Sequence, residues 1–594
     1  MDKTKNYTSI LKNNLFAIGW QFKVAPVYTL YVIVSEIIQK LTVLFEHTFL
    51  VAYMIDCLEK QRLFVDILKF LLPVILVVVL NCLRGHWVWC YVAPKSLAKI
   101  KKDIHLTLYR KAVSMDIAMY DNSEFYNDFV WAMQKAPAHI MAATDTFKTI
   151  VAELIVAIVA GAFIVSTDIM ALTVVAVILI VTLVLQSLIN KYCVQREKET
   201  IPHTRKRDYI NRVFYLIDYV KDLKMSDMAN TLEKDFNESS DEIKCIVKQW
   251  GSKLTFIESS LSSVGNLIYS GVYLSYLFYS ALVKNMFGMG VLMGIYNSTN
   301  KLKNSLYTIT MKLPEFQEHS MYIEKLRTFL DTENEVIAGT KKVPTSGNLC
   351  LEHVRFTYDG NTEPTLKDIS MQIKQGEKIA LVGFNGAGKS TLIKLMLRLY
   401  DPDSGSISYA GEDVRHYKLS EYRKLFGTLF QDFEIFATDV GGNIGMQEGN
   451  IDKERADMAI RKAGFWDRFR KMPQGYNTPL TKEFSDDGVN LSGGEAQKLA
   501  LARVLYADSS IIVLDEPSSA LDPIAEYQLN KTITKLSSDK TVVIISHRLS
   551  TTRFVDKIYM LENGEIKEQG THDTLMQLNG AYAEMFRLQA EKYR

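Results

Sequence analysis

The sequence predicts an all-α transmembrane domain of six helices joined to a soluble α/β domain. Three observations carry this. The first half holds six apolar segments, several of bilayer-spanning length. The second half has the composition of a soluble α/β protein. Within it, Gly383-Phe384-Asn385-Gly386-Ala387-Gly388-Lys389-Ser390-Thr391 matches G-x-x-x-x-G-K-S, which places that half in the P-loop NTPase class. A chain of 594 residues is too long for one core, so separate domains are expected. The formal net charge of +2 argues against a nucleic-acid binder held by bulk charge. The six cysteines show neither metal-ligand spacing nor a disulfide framework.

The transmembrane domain is expected over residues 1–325. Its apolar segments run from Val24 to Ala52, Leu63 to Leu83, Phe147 to Val165, Ile169 to Leu188, Leu254 to Leu282 and Phe287 to Met311. Charge sets the orientation. The link after the fourth segment carries Lys191, Arg196, Lys198, Arg205, Lys206, Arg207 and Arg212, and the link after the second carries Lys95, Lys99, Lys101 and Lys102. Ser166-Thr167-Asp168, between the third and fourth, has no basic residue. The positive-inside rule then puts both long links and both termini in the cytosol, with the chain multi-pass in the cell membrane. Lys60 and Arg62 in the first turn run against this. The link tips fall near Tyr120–Tyr126 and Leu216–Lys224. The aromatics Phe125, Tyr126, Phe129 and Trp131 beside the first tip are expected to dock against the soluble half. Ionisable groups inside spans are functional candidates or interhelical bonds. Glu36, Lys40, Glu153 and Glu258 are such groups, with Glu36 and Lys40 at i,i+4 spacing. Tyr273 belongs to an aromatic stripe that either packs the core or lines a substrate cavity.

A polar linker is expected over 326–347, and the nucleotide-binding domain over 348–594. Lys378–Val382 reads as a buried strand and Thr391–Leu397 as a helix around the phosphate loop. Strand, glycine turn and helix N-terminus aim backbone N–H groups at one point. There Lys389 reaches the β- and γ-phosphates of ATP, and Ser390 ligates Mg2+. Ile511–Asp515 is a short apolar strand whose end presents Asp515 and then Glu516. Asp515 suits Mg2+, and Glu516 suits the attacking water. Gln431 follows another strand and can sense metal and water; His547 ends a third and can contact the γ-phosphate. Ser492, Gly493 and Gly494 open a helix and make a second anion cradle.

These motifs, in this order, resemble the ATP-binding cassette family. Six spans ahead of one cassette resemble a bacterial exporter-type half-transporter, and the similarity covers nearly the whole chain. It implies the type IV exporter fold for the helical domain. It also implies that Tyr358 stacks on adenine, that Gly383, Asn385, Gly386, Gly388, Lys389, Ser390 and Thr391 hold phosphates, and that Leu491–Gln497 binds ATP on a partner subunit. Asp522 matches the loop between the two sites, and the link tips match coupling helices. Glu495 stands where many relatives have Gln. The resemblance implies ATP hydrolysis that drives export of an amphipathic peptide, lipid or drug-like cargo, in a homodimer or a heterodimer. A metal-chelate importer on the same fold and an ATP-gated channel are the alternatives.

Overall fold

The computed structural model describes residues 3–591 apart from 168, 334, 335, 337, 338, 448, 450, 520, 535–539 and 547–550. The chain divides into two compact units, 1–113 with 127–332, and 114–126 with 333–594.

Every described element of the first unit is helical. Among the described residues, three helices are long and apolar enough to cross a membrane, at Pro26–Glu59, Ile67–Ser114 and Ala136–Thr167. The expected fourth segment lies in the Ile169–Tyr215 helix and the sixth in the Met289–Asp331 helix. The fifth is split among Met228–Asn266, a π-turn at Leu267–Tyr273, and Leu274–Leu282. The 47-residue Ile169–Tyr215 helix spans about 70 Å at 1.5 Å per residue, more than twice a hydrocarbon core, so it must continue into water. The basic residues of the expected link, Lys191 to Arg212, lie along this helix from its middle onward. A short helix, Ile217–Met225, forms its tip and leaves Ile217 and Met225 exposed. The core joins Val156, Ala160 and Ile164 to Tyr273, Leu277, Leu292 and Ile295. At Gly290 a Cβ would stand 2.5 Å from the Ala52 carbonyl oxygen, so only glycine lets those two helices approach.

The second unit contains ten strands among the described residues: β1 Leu349–Phe356, β2 Leu366–Ile373, β3 Lys378–Gly383, β4 Ser404–Tyr409, β5 Glu412–Asp413, β6 Phe426–Leu429, β7 Ile511–Asp515, β8 Thr541–Ile545, β9 Lys557–Glu562 and β10 Glu565–Gly570. Their order is β5-β4-β1-β2-β10-β9-β3-β8-β7-β6. β3 lies parallel between β8 and β9, and β7 lies parallel between β6 and β8. β7 and β8 are buried along their whole length, as their unbroken Val/Ile/Leu runs require in a covered parallel sheet. The carboxyl ends of β3, β6 and β7 consequently face one edge, where the topology places ligands.

The helix Ile117–Asp121 belongs to this unit, with Ala118 packed against the sheet core and Asp116 Oδ2 accepting the Val336 N–H at 2.9 Å. The aromatics beside the first tip are divided between the units. Phe125 meets Tyr120 edge-on in the second unit. Phe129 packs on Phe329 and Trp131 on Tyr322, both within the first.

Candidate functional site

The cradle forms where β3 turns into the helix Lys389–Met396. Gly388 takes φ +98°, and a Cβ there would meet Leu366 Cδ2 at 2.5 Å, so the turn excludes side chains. Lys389 is buried and donates to the carbonyls of Gly383 and Phe384 at 3.0 Å each. Burial pulls its ammonium below the ordinary lysine value, while the charges of Glu516 and Asp515 pull it back up. Thr391 is buried two residues further on, and its hydroxyl meets the Tyr358 hydroxyl at 3.2 Å.

Asp515 ends β7 directly opposite. Ser390 Oγ donates to its Oδ2 at 3.2 Å, whereas Oδ1 is buried with no hydrogen-bond partner. The carboxyl is pushed up to about 6, first by burial and further by the Glu516 charge, with the Ser390 hydroxyl working against both. An orphaned carboxylate oxygen beside a serine hydroxyl is a donor set that fits a hard divalent cation. Glu516 follows in the left-handed region, φ +50°, strain a non-glycine residue adopts at functional sites. Gln431 Nε2 donates to Glu516 Oε2 at 3.3 Å, and Gln497 Nε2 donates to the Glu516 carbonyl at 3.1 Å. The structure thus brings Lys389, Ser390, Asp515, Glu516 and Gln431 together. His547 lies outside the described residues.

Ser492 is the N-cap of the Gly493–Ala507 helix. Its Oγ accepts the Glu495 N–H at 3.4 Å, and Glu495 Oε2 accepts the Ser492 N–H at 2.9 Å. Arg468 Nε lies 3.0 Å from the other Glu495 oxygen. The residue that departs from the family pattern therefore closes a capping box, a role the S-x-x-E spacing could have signalled. The Ser492 backbone N–H holds the Glu495 carboxyl below its usual range. Glu495→Ala should lower full-chain stability by about 1 kcal/mol, a midpoint drop of a few degrees in thermal unfolding, whereas Glu495→Gln keeps most of the box. Asp522 caps the next helix, its Oδ1 accepting the Ala525 N–H at 2.8 Å.

Among the candidate cargo residues, Lys40 Nζ bonds Glu153 Oε1 at 2.6 Å, and Ser305 Oγ donates to the other Glu153 oxygen at 2.6 Å. Lys40 therefore meets a distant carboxylate, not the Glu36 one turn away. Glu36 is half-buried and Glu258 is exposed. Tyr273 is fully buried, its hydroxyl 2.8 Å from Thr299 Oγ1, a packing position within this chain's bundle.

Comparison with known proteins agrees with this geometry. A family model described as ABC transporter matches residues 366–519. The chain is 34% identical over 353 residues to an ATP-dependent lipid A-core flippase of Vibrio cholerae serotype O1, covering 59% of this chain and 60% of that protein. The flippase of the same name from Pasteurella multocida is 33% identical over 363 residues, covering 60% of this chain and 61% of the relative. The chain thus spans about three-fifths of the length of these curated relatives. In fold it is similar to a solved bacterial Atm1-family ABC exporter with ATP bound, with a TM-score of 0.78 and 22% identity, covering 95% of this chain and 99% of that one. The cradle, the family match at its centre and the shared fold lead to one assignment: residues 366–519 form an ABC transporter domain, in a chain with the fold of the solved exporter.

Proposed function

We propose that the chain is an ATP-driven membrane exporter that works as a dimer, most simply of two identical copies. The carrying observation is the cradle at the ends of β3 and β7, where an unsatisfied Asp515 oxygen, Ser390 and Lys389 face Glu516 and Gln431. Asp515, Ser390 and Gln431 would hold Mg2+. When bound, that ion neutralises charge on the β- and γ-phosphates. Lys389 leaves its carbonyl partners for the same phosphates. Tyr358 stacks on adenine. Glu516, fixed through its backbone by Gln497 and beside Gln431, orients and deprotonates the attacking water, and His547 contacts the γ-phosphate. Ser492, Gly493 and Gly494 cap the nucleotide of the second subunit, with Asp522 between the sites. Neither subunit completes a site alone. ATP binding then favours the closed dimer through its differential affinity for two states, and hydrolysis resets it. Apolar surface exposed at Tyr215, Ile217 and Met225 on the second link tip is the kind a partner subunit covers.

In this reading the engine sits in the cell membrane, supported by the apolar helices, and its cassette lies in the cytosol, supported by the loop charges. Cargo is an amphipathic molecule, and the relatives' name favours a lipid over a peptide or drug. Reconstitution in proteoliposomes tests the reading. With Mg-ATP, the chain should move a labelled lipid between leaflets, and the same lipid should stimulate hydrolysis. Movement that proceeds equally without ATP would refute an exporter and favour a channel.

A further inference from the structure

The second unit contains a contact path that leads from Tyr358 away from the phosphates to the first cytosolic link. Tyr400 is buried, and its hydroxyl donates to Asp121 Oδ2 at 2.5 Å, on the short helix of the first cytosolic link. Its ring meets Tyr358 edge-on at 5.5 Å and 84°, and both rings meet Phe356, at 5.4 and 4.9 Å. Edge-to-face contacts of this kind orient rings as well as bury them. Lys394 Nζ stands 5.4 Å above the Tyr358 ring, 5.7 Å above the Tyr400 ring, and 3.4 Å from the Tyr358 hydroxyl. A cavity of about 280 Å³ opens beside the path, lined by Asp121, Phe125, Phe356, Asp359 and Tyr400 among others. The bond to Asp121 and the two ring contacts together fix where the Tyr400 ring stands.

We infer that Tyr400 is a positioning residue that links the Ile117–Asp121 helix to the Tyr358 ring, so that docking of the link and stacking of the base depend on each other. The inference rests on the proposed role of Tyr358 as the adenine platform. The helix thereby responds to the base of the nucleotide, while the triphosphate binds independently at Lys389. Reciprocity is required thermodynamically: whatever the docked helix adds to base affinity, the base returns to docking.

The test uses the full chain in lipid nanodiscs, with Tyr400→Phe, Asp121→Ala and the double variant. ATP is the substrate and inorganic tripolyphosphate the competitive probe. Loss of one charge-assisted hydrogen bond should raise the KM for ATP about three- to tenfold in each single variant, with kcat held within about twofold. The double variant should match the larger single effect, because both remove the same link. Inhibition by tripolyphosphate should not change, since it has no base. Asp121 is exposed, so its substitution does not threaten folding. An unchanged KM, additive effects, or an equal shift for tripolyphosphate would each overturn the inference alone. A wild-type chain that hydrolyses no ATP would instead overturn the ATPase reading, and this inference with it.

Discussion

Glu516→Gln should lower ATP turnover at least about a hundredfold while leaving ATP bound, because an amide keeps the shape of the carboxylate and loses its basicity. The geometry singles out Glu516 over its neighbour. Asp515 is buried and engaged by Ser390, which commits it to holding charge at the phosphate end. Glu516 sits one residue on in the left-handed region, which turns its side chain away from that of Asp515 and toward Gln431. The Gln497 contact fixes its backbone. Single-turnover hydrolysis in reconstituted protein, with filter retention of labelled ATP, measures both halves of the expectation. Wild-type turnover in the variant would move the base elsewhere.

Asp515→Asn should abolish Mg-dependent hydrolysis and at the same time make the empty protein more stable. A carboxyl whose folded pKa, about 6, lies above its ordinary value lends stability that is full below pH about 4 and lost as pH rises through 6. At neutral pH the wild-type protein therefore carries a buried charge it would shed if it could. Two pKa units correspond to about 3 kcal/mol. Removing the charge should raise the unfolding midpoint in EDTA at pH 7.5 by roughly 5 °C, and the advantage should shrink near pH 4. Mg-ATP should reverse the ranking, since only the wild type gains from it. A variant less stable than wild type in EDTA would mean that the carboxylate is satisfied without a cation.

The cassette was legible in the sequence because its chemistry is local. The phosphate loop is one contiguous stretch, and Asp515 and Glu516 announce themselves as carboxylates closing an apolar strand where burial would otherwise be costly. The membrane half was less legible for the opposite reason. Glu36 was the local candidate partner of Lys40, but the structure uses Glu153, 113 positions away, and no periodicity reports such a pairing. The aromatic stripe through Tyr273 has two readings, and periodicity alone does not report that its hydroxyl meets Thr299. The Tyr400 contact with Asp121 bridges 279 positions and carries no motif at all. Glu495 was visible as a departure from a pattern, and only the helix cap explained it.

The clasp of Lys40, Glu153 and Ser305 has a mechanical corollary. Three helices meet on one carboxylate, and parting the Lys40 helix from the Glu153 helix breaks a largely buried ion pair, which costs several kcal/mol. A bundle fastened in this manner resists small excursions and then yields abruptly. Its rearrangements should be discrete snaps between a few settings, with the clasp acting as a detent.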